Sequence, residues 1–451
     1  MSSGVLPKQQ IEAREFGSLP PRNASYVKKA FRDRPSDESL LFKAARVIAA
    51  NFEKEPQNMD SVPKRCREKV LELLPTNLDI QVSSANVHSE KYWKRCCDHR
   101  WKGNCVKSLH GNSWKQAYFE KYVQDLLESF DSKRDDDATL KEYLEAASDF
   151  VFSLKITQLL THPDLSLIFD KLHNLSDLTL TYVTHNVHRI IYTRRVSRSH
   201  LKIHTHYLTH TNDQHRYGAK RLRMRYDRAL FGMKLSDAES LSRCLKTTSM
   251  LCRLSLPSNL IDDDLLEVLI EGLSQNNTIT HLDLSNNKIG DLGVQILTEI
   301  LGHSSVLVSL NLANNQIRSE GGRILGHILS QNKSLTRLNL RLNRLADVGA
   351  SAVFKSLSMN EDLRELNIAA NCVGYEAALV LSNSLQYKHS QLCHLDLSSN
   401  DFTDEDLSMI QSSLEQNKSL KSLDVRLNDT SKGSTHSAEI DRQLRGNYDV
   451  K

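Results

Sequence analysis

Residues Leu335 to Leu345 read L-T-R-L-N-L-R-L-N-R-L, and this stretch decides the fold because its pattern recurs along the chain. Copies of the pattern begin at Leu251, Ile279, Leu307, Leu335, Leu363, Leu392 and Leu420. The interval between copies is 28 residues five times and 29 residues once. A period of this length and regularity indicates a solenoid of stacked units.

Each copy follows the frame L-x-x-L-x-L-x-x-N-x-L, the long form of the leucine-rich repeat. The frame leucines at positions 1, 4 and 6 point inward from a short strand. Apolar residues that follow, such as Val294, Leu297 and Leu301, fall on one face of a helix. Neighbouring repeats must stack, because neither element can bury its apolar side alone. The sequence therefore predicts an α/β fold, a ribonuclease-inhibitor-like horseshoe whose parallel strands line the inner curve.

The frame asparagine is present in every copy, as Asn259, Asn287, Asn315, Asn343, Asn371, Asn400 and Asn428. A buried amide at this position can bond the backbone groups of the turn after the strand. We therefore expect these residues to be structural, so that replacing one costs stability before function. Further along each copy, Asp263, Asp291, Ser319, Asp347 and Asp404 are predicted to be helix N-caps.

Side chains at frame positions 3, 5 and 7 are free to vary and point into the concave face. They form a polar stripe of mixed charge, which suits a folded protein or a helix as ligand. The predicted protein-binding residues are Arg253, His281, Asp283, Asn311, Arg337, Asn339, Arg341, Glu365, Asn367, His394, Asp396, Asp424 and Arg426.

Composition shifts along the chain predict five regions. Residues 1–37 are a disordered basic arm, 38–130 a small all-α helical domain, 131–250 a linker with degenerate capping repeats and a basic histidine-rich insertion, 251–432 the seven leucine-rich repeats, and 433–451 a C-terminal cap or tail. Within the linker, Tyr143–Leu160 is predicted to be a helix. Leu175, Leu178 and Leu180 repeat the opening of the frame without its asparagine, as expected of a capping repeat.

The insertion at residues 185–228 carries eleven Lys and Arg residues against two Asp. Such a block can adsorb to an anionic partner, although a solvated loop explains it equally well. The predicted basic contact patch comprises Arg194, Arg195, Arg198, Lys202, Arg216, Lys220, Arg221, Arg223 and Arg225. The histidines His204, His206, His210 and His215 form a weak metal candidate, because the surrounding cations would repel a metal ion.

No phosphate-binding loop, dinucleotide fingerprint, zinc-protease motif or nucleophile elbow occurs in the chain. We therefore expect no enzyme activity and no cofactor. Cys96, Cys97, His99 and Cys105 resemble a metal set but lack paired C-x-x-C spacing, so no metal is expected. The formal charge of +4 is nearly balanced, and the N-terminus lacks an apolar core, so neither nucleic acid nor membrane is an expected partner. The eight cysteines favour a reducing, intracellular compartment.

The segments W-K-R-C-C-D-H-R-W (Trp93–Trp101) and S-W-K-Q-A-Y-F-E (Ser113–Glu120), together with L-S-D-L-T-L-T-Y (Leu175–Tyr182) and the fourth repeat, resemble the T-complex-associated testis-expressed protein family. This family is the leucine-rich-repeat subunit, subunit five, of the nexin–dynein regulatory complex of motile cilia and flagella. The resemblance covers residues from about 40 to 430. Its specific part is the segment that contains tryptophan and cysteine, since other leucine-rich-repeat proteins share the 28-residue period.

The resemblance implies a non-enzymatic scaffold that links outer doublet microtubules and regulates ciliary and sperm motility. It implies other subunits of that complex as partners, the doublet microtubule surface as a further one, and a location in the cytoskeleton of the cilium. Two alternatives stay open. L-P-T-N-L (Leu74–Leu78) with Y-W-K-R-C-C also resembles an F-box-like helical domain, as in a substrate receptor of a cullin ubiquitin ligase. The repeat form is shared with Ran GTPase activators as well.

Overall fold

The computed structural model describes residues 40–56, 59–131, 135–159, 161–182, 232–302, 305–387, 391–431 and 434–447. The chain divides into two compact units, with one boundary between Pro75 and Thr76. The predicted helical domain of residues 38–130 is thus divided, because its residues from Thr76 onward belong to the same unit as the repeats. The predicted arm at residues 1–37 and the whole basic contact patch lie outside the described residues.

The first unit contains helices α1 (Leu40–Asn51) and α2 (Lys64–Leu73), joined by a 3-10 turn at Met59–Ser61. Ala45 and Ala49 of α1 and Val70 of α2 are buried where the two helices pack. The short alanine side chains allow close approach of the helices.

The second unit opens with helices α3 (Ile80–Asn86), α4 (Glu90–Trp101), α5 (Trp114–Ser129) and α6 (Asp137–Ala147). The side chains of Asp79, Ser89, Ser113 and Asp136 cap these helices by accepting a backbone N–H of the first turn. Aromatic rings fill the space between α4 and α5: Trp93 contacts Tyr118 and Phe119 with ring centroids 5.0 and 5.2 Å apart. This packing gives the tryptophan-containing segment its core.

Among the described residues, one parallel sheet runs through the second unit in chain order, from β1 to β9. Its strands are β1 (Ser153–Leu159), β2 (Asp177–Tyr182), β3 (Arg253–Ser255), β4 (His281–Asp283), β5 (Ser309–Asn311), β6 (Arg337–Asn339), β7 (Glu365–Asn367), β8 (His394–Asp396) and β9 (Ser422–Asp424). The frame leucines at positions 1, 4 and 6 are buried in every copy, as Leu335, Leu338 and Leu340 illustrate. The predicted leucine-rich-repeat fold is confirmed, with two strands added before the first regular copy.

The prediction of a helix over Tyr143–Leu160 is wrong for the second half of that segment. Helix α6 ends at Ala147, and Ser153–Leu159 forms strand β1. Leu154, Ile156 and Leu159 of this strand are buried while Lys155 is exposed. The alternation of buried and exposed side chains has a period near two, which only a strand can satisfy.

A helix follows most strands and covers one face of the sheet. These helices are α7 (Ser166–Phe169), α8 (Leu235–Thr247), α9 (Asp263–Leu273), α10 (Asp291–Leu301), α11 (Ser319–Leu329), α12 (Ala346–Ser356), α13 (Tyr375–Leu385), α14 (Asp404–Ser413) and α15 (His436–Leu444). Helix α15 lies in the predicted C-terminal region 433–451 and packs on α14 and β9. Of the described helices, none is long and apolar enough to cross a membrane.

Candidate interaction face of the repeat array

The frame asparagines join each repeat to the next. The amide nitrogen of Asn371 donates to the carbonyl oxygens of Leu340 and Ile368, at 2.9 and 3.1 Å. Its side-chain oxygen accepts the backbone N–H of Leu345 at 3.3 Å. One amide therefore bonds the turn of its own repeat and that of the preceding one, and the other frame asparagines also bond the backbone of the preceding repeat.

A second set of asparagines, which the sequence analysis did not identify, lies at the opposite end of the strands. Asn332 and Asn360 are almost fully buried, and their amides donate to the carbonyls of Leu301 and Leu329 in the preceding repeats at 2.9 and 2.6 Å. Asn276 and Asn417 do the same. The signal is present in the sequence, because an asparagine stands three residues before the first frame residue in these four copies.

The residues expected to be N-caps act between repeats instead. Helices α9 and α10 begin at Asp263 and Asp291, so these residues lie one position after the N-caps, which are Asp262 and Gly290. Asp263 accepts the backbone N–H of Gly290, and Asp291 accepts that of Arg318, both at 2.7 Å. Asp347 and Asp404 likewise accept from Gly374 and Ser431. Ser319 instead donates to the carbonyl oxygen of Leu345. The prediction is therefore wrong in register, since stacking places each carboxylate nearer to the next turn than to its own.

The face of the sheet that the helices leave open carries the predicted binding residues, and it is called the concave face below. The residues at frame position 3 lie side by side in the order Arg253, His281, Ser309, Arg337, Glu365, His394 and Ser422. Position 5 forms a parallel row from Ser255 to Asp424. The last five strands line a groove of about 510 Å³ on this face. The structure thus brings the predicted residues of positions 3 and 5 together on one surface.

Position 5 also has a structural task. The side-chain oxygen Oδ1 of Asn339 accepts the backbone N–H of Arg341 two residues later, at 3.1 Å. The same bond forms at Asp283, Asn311, Asn367, Asp396 and Asp424. Aspartate and asparagine favour such local turns. The Asp and Asn residues of this row therefore end the strands. The second polar atom of Asp283, Asn367, Asp396 and Asp424 is also hydrogen-bonded to a neighbouring side chain.

His281 is held in one state by its neighbours on the concave face. Its Nε2 atom lies 2.9 Å from a guanidinium nitrogen of Arg337, and its Nδ1 atom lies 2.8 Å from the hydroxyl of Thr280. Because arginine only donates, Nε2 must accept and the ring must be neutral. Burial lowers the pKa of His281, and the cations Arg253 and Arg337 lower it further.

The C-terminal half of the concave face is more acidic. The amide of Asn367 donates to Asp396 at 2.8 Å. Arg426 forms a bidentate pair with Asp424, and the hydrogen bonds from this arginine hold the pKa of the carboxyl below its usual range. Arg341, Glu365 and His394 are exposed. The face therefore offers cations near its centre and carboxylates near its C-terminal end.

Cys96, Cys97 and Cys105 are buried in the helical part of the second unit, whereas His99 is exposed. Burial raises the pKa of the Cys96 thiol to about 11, and it raises the pKa of Cys97 as well. Zinc binds the thiolate form, which this environment disfavours. Within the described residues, no group of three or more potential ligands is placed to hold a metal ion. The candidate at His204–His215 lies outside the described residues.

Comparison with protein families identifies the repeats. A profile described as Leucine Rich repeat matches residues 275–297, 303–325, 331–354 and 392–410. Two solved structures align with about half of the chain: the Leiomodin-1 Actin-Binding Site 2, at 15% identity and a TM-score of 0.25, and the tropomodulin C-terminal domain from Caenorhabditis elegans, at 16% and 0.23. The alignments cover 48% and 47% of this chain and 91% and 93% of those chains. Similarity this weak carries no structural argument.

Curated relatives are more informative. The chain is 36% identical over 220 residues to Dynein regulatory complex subunit 5 from Chlamydomonas reinhardtii, which is 49% of this chain and 47% of the relative. It is 34% identical over 113 residues to the human protein of the same name, which is 25% of this chain and 22% of the relative. The matched residues thus span about half or less of the length of these relatives. The chain is a leucine-rich-repeat protein and a sequence relative of Dynein regulatory complex subunit 5, in agreement with the resemblance in its sequence.

Proposed function

We propose that this chain is a non-enzymatic subunit of a dynein regulatory complex in the axoneme of cilia or flagella, where it contributes to motility. The observation that carries the proposal is the 36% identity over 220 residues to a relative named for that complex. The name applies to the relative. Its transfer to this chain rests on that similarity and on a surface suited to protein contacts.

The concave face supplies the proposed contact surface. Along position 3 it alternates cationic, neutral and anionic side chains, so a partner with complementary charges would be favoured and held in register. The frame asparagines and the turn-forming atoms of position 5 are occupied by the fold. Recognition would then depend on four residues of position 3, namely Arg253, Arg337, Glu365 and His394.

The proposal is tested by expressing a tagged chain in ciliated cells and measuring its recovery with other dynein regulatory complex subunits. Glu365→Lys reverses a charge on the concave face, and Glu376→Lys makes the same change at an exposed position of helix α13. We expect the first variant to lower recovery about tenfold, which is the effect of one interface charge, and the second to leave it unchanged.

Failure of the unmodified chain to copurify with these subunits would contradict the proposal. Recovery of a ubiquitin-ligase adaptor with a cullin would favour the F-box-like alternative. Equal loss in both variants would show that the concave face has no special part in assembly.

A further inference from the structure

The residue before each frame asparagine adopts a left-handed backbone conformation. This residue, at frame position 8, has φ between 54° and 61° in all seven copies. Five copies carry a small or polar residue there, namely Ser258, Asn286, Asn314, Ala370 and Ser399. Two copies carry leucine, at Leu342 and Leu427. Asparagine tolerates this conformation best, whereas a bulky residue there is strained.

Neither leucine gains burial in return. Leu342 is 46% exposed and Leu427 is 83% exposed, although leucine is the residue that buries the frame elsewhere in the array. A strained and exposed apolar side chain has no evident role in the fold. The left-handed conformation belongs to the repeat, since all seven copies adopt it, but the fold does not require leucine at this position. Costly backbone conformations cluster where a protein surface contacts a ligand.

The same two repeats differ at the preceding position. Position 7 is Arg341 in the fourth copy and Arg426 in the seventh, whereas the other copies carry Pro, Ser or Ala. Arg341 and Arg344 flank Leu342, both are exposed, and within the described part of the chain no ion pair engages either side chain. Arg426 is already paired with Asp424. The fourth copy therefore offers an apolar side chain between two available cations.

The copies between the two leucines carry small side chains on this surface. The intervening copies carry Ala369 and Ala370, then Ser398 and Ser399, at positions 7 and 8. Strands β6 and β9 are separated by three strand-to-strand spacings, which correspond to about 14 Å. An elongated partner can therefore lie across the small residues and reach both leucines.

An α-helix comes within about 2 Å of this spacing. Residues eleven apart on a helix lie on the same face and are about 16.5 Å apart along the axis. We infer that Leu342 and Leu427 are the two anchors of a docking site for an amphipathic helix of another complex subunit. This helix presents two apolar side chains about eleven residues apart and a carboxylate opposite Arg341 and Arg344. The inference rests on the proposed function, because it names the partner surface within the same assembly.

The test places a photo-crosslinking amino acid at position 342 or at position 427 of the full chain. Each variant is coexpressed with the other subunits of the dynein regulatory complex, and crosslinked peptides are identified by mass spectrometry. We expect both positions to crosslink to one segment of one subunit, at residues ten to twelve apart. Positions 258 and 286 are matched controls, since they occupy the same left-handed site in repeats outside the span between the two leucines, and should give at least tenfold less product.

Other results would overturn the inference. Crosslinks about four or five residues apart would indicate an extended strand instead of a helix, because a strand rises about 3.3 Å per residue. Crosslinks to two different subunits, or yields no higher than at the controls, would remove the docking site. If the chain copurifies with the complex but shows any of these results, only this inference fails. If it does not copurify at all, the proposed function fails first.

Stability separates a docking role from a folding role. Replacing Leu342 and Leu427 together by Asn, the residue at positions 286 and 314, should leave the urea midpoint equal or higher because backbone strain is relieved. The same double variant should reduce affinity for the complex about a hundredfold, from the loss of two apolar anchors. A lower midpoint together with unchanged affinity would assign the leucines to the fold and contradict the inference.

Discussion

The sheet ends at its N-terminal edge on a seven-residue strand that helix α5 covers, whereas its C-terminal edge is a three-residue strand followed by helix α15. At interior strands, two successive N–H groups donate to one carbonyl of the preceding repeat, as those of Thr280 and His281 do to Cys252. Within the described residues, no strand precedes β1 in the sheet. There, a carboxylate oxygen of Glu120 accepts the N–H groups of Phe152 and Ser153 at 3.1 and 2.9 Å.

The C-terminal end is closed by repetition. The amide of Asn447 donates to the carbonyls of Asn417 and Leu420 at 3.1 and 2.8 Å. In the same way, the amide of Asn360 donates to the carbonyl of Asn332, which lies in the repeat before it. Asn447 thus continues the second asparagine set beyond the last regular copy. The two ends of the array are therefore closed in different ways. At the C-terminal end an asparagine repeats the hydrogen bond that joins the regular copies, and at the N-terminal end a carboxylate replaces the backbone carbonyl as acceptor.

The largest effect should come from removing the acceptor at the N-terminal edge. Glu120 is 3% exposed and also binds His110 and Gln116. Glu120→Ala leaves buried donors without a partner, so we expect the free energy of unfolding to fall by about 3 kcal/mol. Urea denaturation followed by circular dichroism measures this change.

Glu128→Ala is the matched control for that variant. Glu128 accepts the backbone N–H of Thr157 on the same strand at 2.8 Å, but in an exposed position. Its loss should cost about 1 kcal/mol, since water can replace the bond. Equal losses for the two glutamates would show that burial of the carboxylate does not set its importance.

A somewhat smaller loss is expected within the array. Asn371→Ala removes an amide that is fully buried, and we expect the free energy of unfolding to decrease by about 2 kcal/mol. Asn428→Ala, at the part-buried last frame position, should cost roughly half as much. The urea midpoints of the two variants test this order. The reverse order would mean that the C-terminal end limits the stability of the array.

The long insertion before the first regular repeat should have little effect on the fold. Tyr182 precedes it and Met233 follows it, and the backbone N–H groups of both donate to Asn259, at 2.7 and 2.9 Å. Replacing residues 184–230 by a six-residue Gly/Ser linker should keep the urea midpoint or raise it, because each halving of a loop lowers its closure cost by roughly 0.6 kcal/mol. A strong loss of stability would show that the N-terminal strands depend on the insertion.

The same deletion tests the predicted basic contact patch. If the patch binds by charge, salt should release the unmodified chain from isolated axonemes, and the deletion variant should be released at lower salt. Identical release curves would leave the patch without a part in attachment.

The smallest effect should come from pH. The pKa of His281 is lowered in the folded chain, so the unfolded chain takes up its proton first as pH falls through about 6.5. The array should therefore be slightly less stable at pH 5.5 than at pH 7.5, by roughly 0.5 kcal/mol or less for a half-buried site that solvent partly screens. His281→Asn should reduce this difference in urea midpoint. An unchanged difference would assign the pH dependence to other groups.

Much of the fold could be predicted because each repeat carries the same pattern of leucines and asparagine within a short stretch of sequence. The buried leucines and the frame asparagines follow from a period that is visible in the printed sequence. Strand β1 was harder to predict, because it follows the amphipathic helix α6 and no Gly or Pro separates the two elements. The apolar residues of the strand therefore look like a continuation of the helix. The concave face was predictable as a list of residues, but the use of Asn339 and its equivalents in strand-ending turns was not.

The sequence by itself determined the repeat, its register and the surface on which outward side chains lie, since a strict period forces equivalent residues into equivalent places. Only the tertiary structure decided which groups join one repeat to the next. Asp347 accepts the backbone N–H of Gly374 rather than one of its own helix. At strand β1, Glu120 takes the place of the backbone carbonyl that the preceding repeat provides at interior strands. The physical reason is that a hydrogen bond depends on distance in space, and stacking brings together groups about 27 to 33 residues apart in the chain.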